Sequence, residues 1–150
     1  MNNESALLAA IAICEGTPQI PGSDNGYNVL VGATQSHPML FSSYADHPRI
    51  LNRALNSTAA GRYQILAHIF DSYKDLLNLP DFSPASQDAI AIQMLRECRA
   101  LSAIDQGYFD TAIARCCHLW ASLPGSPWGQ HTRSLQYAYD AYLTAGGTTA

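Results

Sequence analysis

The strongest constraint on the fold is the abrupt change of residue type at Gly16. Up to that point, from about Glu4 to Glu15, the chain reads as an apolar helix. Leu8, Ile11 and Glu15 fall on one stripe at helical spacing, with Asn3 placed to cap the helix and Gly16 to stop it. From Thr17 to Asn28 the residues turn to Pro, Gly, Asn, Asp and Ser, which is loop chemistry. Tyr27–Val31 then reads as a short strand ending at Gly32, with Met39–Tyr44 as its pairing partner. The pattern predicts a small β-lobe set between helical segments.

Helical periodicity returns at Ser57 or Thr58 and runs through Tyr63, Leu66, Ala67, Phe70, Tyr73 and Leu77, ending before Pro80. Ser83-Pro84 is a strong start, because Ser caps and Pro fits the first helical position; Ala89, Ile92, Leu95 and Cys98 or Arg99 carry that helix on. Asp110 opens another through Ala112, Ile113, Cys116, Cys117 and Trp120. A Pro/Gly loop over Leu123–Gly129 and a last helix over roughly Ser134–Thr144 complete the chain. The expected class is α+β, mainly helical, in one domain over residues 1–150, a length that buries a sizeable core without staples.

Charge and composition narrow the partners. Eight basic residues stand against twelve acidic ones, a formal net charge of −4, and the basic residues are scattered singly, so nucleic acid is not an expected partner. No apolar run approaches the roughly 20 residues of a membrane span, and stable membrane association is not expected. Asn2, Asn3 and Glu4 supply no basic region of a secretory signal. Cys14, Cys98, Cys116 and Cys117 form no C-x-x-C pair and read as free thiols of a reducing compartment. His37, His47, His68, His118 and His131 have no metal-ligand spacing, so no metal and no cofactor is expected.

Glu15 is the residue that stands out. On an apolar stripe at a helix C-terminus, removal from water and the negative end of the helix dipole both raise its pKa, as a general acid requires. The bland alternative is a glutamate that snorkels to solvent. No second carboxylate is placed beside it by spacing; Asp24 and Asp46 lie in loops, and a lone acid suits a reaction whose nucleophile comes from the substrate. Gly61-Arg62-Tyr63-Gln64, read as opening the second helix, offers a ring and an amide, although such a Tyr also serves as core. Trp128, in a Pro/Gly loop, is either a sugar-stacking surface or a lid on the core edge.

Several segments occur together in order: Cys14-Glu15-Gly16-Thr17, Gly26-Tyr27-Asn28-Val29-Leu30-Val31-Gly32, Tyr44-Ala45-Asp46-His47-Pro48-Arg49 and Ser57-Thr58-Ala59-Ala60-Gly61-Arg62-Tyr63-Gln64. Asp81–Ala89, Trp120–Gly125 and Ala145–Thr148 follow. The set resembles the lambda-type phage endolysins, glycoside hydrolase family 104, over nearly the whole chain. The resemblance implies a lysozyme-like fold with a small β-lobe and an interlobe cleft. It also implies lytic transglycosylase action on the β-1,4 bond between N-acetylmuramic acid and N-acetylglucosamine of peptidoglycan, leaving 1,6-anhydromuramic ends. Glu15 maps to the essential acid, and Tyr63, Gln64 and Trp128 map to segments that meet substrate; Tyr27 and His47 match family motifs too, as substrate contacts or equally as residues that maintain the β-lobe. With no export signal to read, the expected setting is the host cytoplasm until a holin-type pore opens, and a monomer is the default expectation. Gly32–Met39 departs from the family pattern by being longer, and Ile50–Asn56 by being shorter. The competing readings are a hydrolytic lysozyme with Asp24 or Asp46 as second carboxylate, and a non-catalytic peptidoglycan-binding module.

Overall fold

The structure, a computed structural model, describes residues 2–128 and 131–150. Among these residues the helices are α1 (Asn3–Glu15), α2 (Ala67–Leu77), α3 (Pro84–Glu97), α4 (Ala100–Asp105), α5 (Phe109–Cys116) and α6 (Leu135–Thr144). The chain divides into two compact units, Met1–Glu15 with Ala91–Ala150, and Gly16–Ile90. One boundary is therefore the Glu15–Gly16 bond, and the other falls inside α3. No helix among the described residues is long and apolar enough to cross a membrane.

The first unit is built on α1. Ala6, Leu7, Leu8, Ala10, Ile11, Ala12 and Cys14 are all buried, so this helix is apolar on nearly every side and packs against both α6 and α4. Its cap is not Asn3. Asn2 Oδ1 accepts from the Ser5 N–H at 2.8 Å. Asn3 instead spends its amide on long-range ties, donating to the Ile104 carbonyl and accepting from the Thr148 N–H and hydroxyl. Gly16 ends α1 at φ +81°.

Helix α3 ends close to the expected Cys98 or Arg99, but α4 stands where no helix is expected and α5 is shorter than its apolar pattern suggests. Arg99 takes a left-handed φ of 65°, which stops α3 and lets α4 begin, a break that no Gly or Pro announces. Helix α5 ends at Cys116, and Cys117–Leu119 turn the chain so that Trp120 is buried outside the helix. Helix α6 follows expectation, with Ser134 Oγ accepting from the Tyr137 N–H at 3.1 Å.

The second unit holds the expected antiparallel pairing, but as isolated bridges rather than ladders. Val29 pairs with Leu40 and Leu30 with Ala60, while Leu30 N–H donates to Met39 O and Phe41 N–H to Asn28 O. The strand expected over 27–31 is reduced to the bridge residues Val29 and Leu30, between turns that include Gly26 and Gly32 at positive φ. Val31 N–H is also diverted to Ala59 O.

The helix expected from Ser57 or Thr58 starts only at Ala67. Gly61 at φ +83° and Gln64 at φ +51° fold residues 60–65 into a tight turn closed by reciprocal hydrogen bonds between Ala60 and Ile65. Gly61-Arg62-Tyr63-Gln64 therefore does not open a helix. Thr58 still serves α2 through space, its Oγ1 accepting from the Ala67 N–H at 3.0 Å. Asn78 in the left-handed region ends α2 before Pro80.

Helix α3 starts at Pro84 after Ser83, as its sequence dictates, and carries a fully buried amide, Gln87. Its Oε1 accepts from Arg62 N–H at 2.9 Å, and its Nε2 donates to the carbonyls of Tyr27 and Phe82 at 3.0 and 2.9 Å. A buried amide is tolerated when its hydrogen bonds are made. This one ties three loop segments to one helix, and it passes so close to Gly61 that an added Cβ there would clash with Oε1. Gly61→Ala combines that clash with a left-handed φ, so it is expected to cost about 2–4 kcal/mol, measured as a lowered midpoint in urea.

Candidate active site

Glu15 is the last residue of α1, and its side chain is half-buried. Burial pushes its carboxyl up to about 7 from an ordinary 4.5, against the opposing pull of hydrogen bonding from Ser122. Ser122 Oγ donates to Glu15 Oε1 at 2.8 Å. Ser122 is itself held by Arg133, whose N–H donates to the Ser122 carbonyl at 2.8 Å. The Arg133 guanidinium returns to the Cys14 carbonyl through Nε at 3.4 Å and lies 4.8 Å over the Tyr137 ring. The acid is thus fixed from α1, from the loop after α5 and from the segment leading into α6. Neither Ser122 nor Arg133 stands out by pattern; Ser122 is visible only as part of Trp120–Gly125.

Trp128 lies in the same unit, 61 % exposed, with its indole Nε1–H donating to the His118 carbonyl at 2.8 Å. An anchored N–H and an open ring face make a flat platform. The end of that loop, Gly129, lies with Gln130 outside the described residues. Cys14, adjacent to Glu15, has a thiol pushed up to about 11 by burial, which leaves it a small apolar filler rather than a nucleophile.

The remaining candidates all belong to the second unit, where the structure gives them packing and positioning work. Tyr63 is 1 % exposed, and its ring is withdrawn from any ligand. Its hydroxyl donates to Asp88 at 2.6 Å, and the Tyr27 hydroxyl donates to the same carboxylate at 2.9 and 3.1 Å. The two rings meet edge to face at 6.4 Å, with the Arg62 guanidinium over both. Gln64 directs its amide to the carbonyls of Gly61 and Val29.

His47 is 2 % exposed and wedged against Phe82 and Phe70. Its Nδ1 accepts from the Arg49 N–H at 2.9 Å, which leaves Nε2 to donate to the Ile65 carbonyl at 2.8 Å. Burial holds its pKa below the usual value. Asp24 accepts from the Tyr44 hydroxyl at 2.7 Å, and Asp46 pairs with Arg49 at 3.0 Å, a bond that keeps its carboxyl below the ordinary range.

A carboxyl that titrates higher folded than unfolded favours the folded state at low pH and loses that contribution as pH rises from 4.5 through about 7. Glu15→Gln removes the loss. The variant should match the parent in thermal unfolding near pH 4 and be more stable at pH 8, by on the order of 2 kcal/mol. Ser122→Ala removes a hydrogen bond that favours the carboxylate, so the Glu15 carboxyl resonance should titrate at higher pH in that variant.

A family model described as Endolysin matches residues 5–149. The endolysin of Escherichia phage P2 is 43 % identical over 157 residues, covering 99 % of this chain and 95 % of that protein. The endolysin of Escherichia phage lambda is 43 % identical over 152 residues, covering 98 % and 93 %. The fold superposes on bacteriophage lambda lysozyme complexed with a chitohexasaccharide with a TM-score of 0.90 at 43 % identity, covering 100 % of this chain and 98 % of that one. A further structure, lysozyme from bacteriophage lambda, gives 0.84 at 42 % identity with the same coverage. The mainly helical α+β architecture is thus lysozyme-like, and the chain belongs to the endolysin family.

Proposed function

We propose that the chain is a peptidoglycan lytic transglycosylase that lyses the host cell wall, with Glu15 as both acid and base. The observation that carries the reading is the Glu15 carboxyl, held near 7 by burial and aligned by the Ser122 hydroxyl. A group titrating near neutrality keeps a proton to give and, once ionised, is basic enough to take one back. Its membership of the endolysin family supports peptidoglycan as the polymer, and the relative solved with a chitohexasaccharide supports a glycan ligand.

In the proposed reaction the Glu15 proton passes to the glycosidic oxygen as its bond to C1 of N-acetylmuramic acid breaks. The bonding electrons leave with that oxygen, which departs as the 4-hydroxyl of N-acetylglucosamine. The C6 hydroxyl oxygen of the same muramic residue attacks C1, and its proton passes to the Glu15 carboxylate. The 1,6-anhydro ring closes, the acid is regenerated and no water is consumed. Because the nucleophile is already attached to the reacting sugar, proximity replaces a positioned water and its base.

The partners of Asp24 and Asp46 favour this one-acid reaction over hydrolysis, since both carboxylates are engaged in holding their own loops. Trp128 is the residue of the first unit best suited to stack on a sugar. In this reading the protein accumulates in the host cytoplasm and meets the wall after a holin-type pore opens.

Mass spectrometry of muropeptides released from purified sacculi should give anhydromuramic ends; muramic acid with free reducing ends would make the protein a hydrolase. Glu15→Gln is expected to lower turnover about a thousandfold or more while the fold persists. The activity of the parent, as kcat/KM, should fall as pH rises through about 7, where the acid loses its proton. Trp128→Ala should raise KM several-fold at unchanged melting temperature; a parallel loss of stability would return Trp128 to the core edge.

A further inference from the structure

A cavity of about 540 Å³ opens in the first unit, between the start of α5 (Tyr108, Asp110 and Thr111), one face of α6 (Leu135, Gln136 and Tyr139) and the C-terminal tail. Neither Glu15 nor Ser122 lines it. Its volume falls in the range of about 300–1,000 Å³ typical of small-ligand sites.

Its walls are fixed. Phe109 packs on Tyr139 and Tyr142 with ring centroids 5.3 and 5.0 Å apart, which makes a stiff aromatic floor. Ala150 N–H donates to the Gly107 carbonyl at 3.2 Å, and a Cβ at Gly107 would come within 2.5 Å of Ala150 N. The tail is tied again at Thr148, by Asn3 and by the Tyr142 hydroxyl. Above this frame Tyr108 is 52 % exposed, and Leu135 is exposed beside it. Gln136 Nε2 donates to Asp140 at 2.7 Å, which sets the plane of its amide at the rim.

The chemistry of the lining selects among ligands. The Asp110 carboxylate stands in the first turn of α5, where it opposes a phosphate or any other anion. A net charge of −4 gives no help in recruiting an anionic polymer or an anionic lipid surface. An open Tyr ring beside an apolar side chain, rimmed by a carboxylate, a hydroxyl and an amide, suits a neutral pyranose. Such a sugar offers one C–H face to the ring and its hydroxyls to the rim.

We infer that this cavity is a second saccharide site, taking a neutral N-acetylhexosamine unit of a glycan strand. The inference rests on the reading of the chain as an enzyme of the cell-wall glycan, and it adds a contact that holds the polymer while the Glu15 site turns over. A second contact on the same strand raises retention through effective concentration, without any change at the reacting bond.

The test uses the full chain carrying Glu15→Gln, with chitotetraose followed by amide NMR. Shifts at Tyr108–Thr111 and Gln136–Tyr139, separate in affinity from those around residue 15 and Ser122, are the expected result. Adding Tyr108→Ala should abolish the first set, leave the second, and weaken binding to purified sacculi about threefold to tenfold. Gln136→Ala, on the exposed rim, should weaken it in the same direction and guards against a folding defect at Tyr108. Shifts confined to the residue 15 region overturn the second site while leaving the proposed function intact. Shifts at the cavity from a free stem tetrapeptide but not from chitotetraose overturn the ligand class. No shift at either place overturns both this site and the glycan reading beneath it.

Discussion

A carboxyl at the end of a helix that is apolar on nearly every side inherits the burial of that helix. That condition governs Glu15. Helix α1 is the element on which α4 and α6 pack, so its C-terminus cannot simply tilt toward water to relieve one residue. The remaining outlets are a partner and a proton. Ser122 supplies the first at 2.8 Å and the raised pKa supplies the second. Arg133 then ties the partner back to α1 through the Cys14 carbonyl, so acid, hydroxyl and helix end form a closed loop of contacts. The desolvation cost of keeping an ionisable group there is what raises its pKa, and it is why removing the charge is expected to stabilise the protein.

The second unit solves a different problem. It has almost no regular ladder among its described residues, so many backbone donors and acceptors must be met by side chains. Gln87 meets three, Thr17 Oγ1 donates to the Arg62 carbonyl at 2.7 Å, and Asn52 Nδ2 reaches the Val31 carbonyl at 3.3 Å. Gly26 is needed where it stands because a Cβ would come within 2.7 Å of the Thr17 hydroxyl oxygen. Polar residues in the middle of this unit are therefore a substitute for sheet hydrogen bonds. Tyr63, Gln64 and His47 fit that pattern, since each spends its polar atoms on Asp88 or on a backbone group.

The sequence was most legible where local chemistry and long-range packing agree. Gly16 and Ser83-Pro84 mark helix ends by their own conformational preferences, and the Ser134 cap reads the same way. Legibility failed where tertiary contacts overrode periodicity. Tyr63, Leu66, Phe70 and Leu77 have helical spacing, yet Gln64 sits at positive φ, which no residue type but Gly advertises. Arg99 conceals the α3–α4 break for the same reason. Glu15 could be singled out because an acid on an apolar stripe is anomalous in one dimension. Ser122 could not, because a serine in a Pro/Gly loop is ordinary until the fold carries it across 107 positions to the acid.

One carboxyl near neutrality is also enough for the proposed reaction, for a reason that lies in proton accounting. A hydrolase needs a proton for the leaving oxygen and a second group to manage water or the sugar cation, so its two acids are tuned apart. An intramolecular closure returns the same proton to the same group within one turnover. The acid then needs comparable affinity for its proton before and after bond cleavage, which is met by a value near the working pH rather than by a pair split around it. Burial alone would drive a carboxyl high and make it a reluctant donor. The Ser122 hydroxyl, by favouring the charged form, holds it back toward neutrality. The hydrogen bond that positions Glu15 is thus also the one that keeps it reversible.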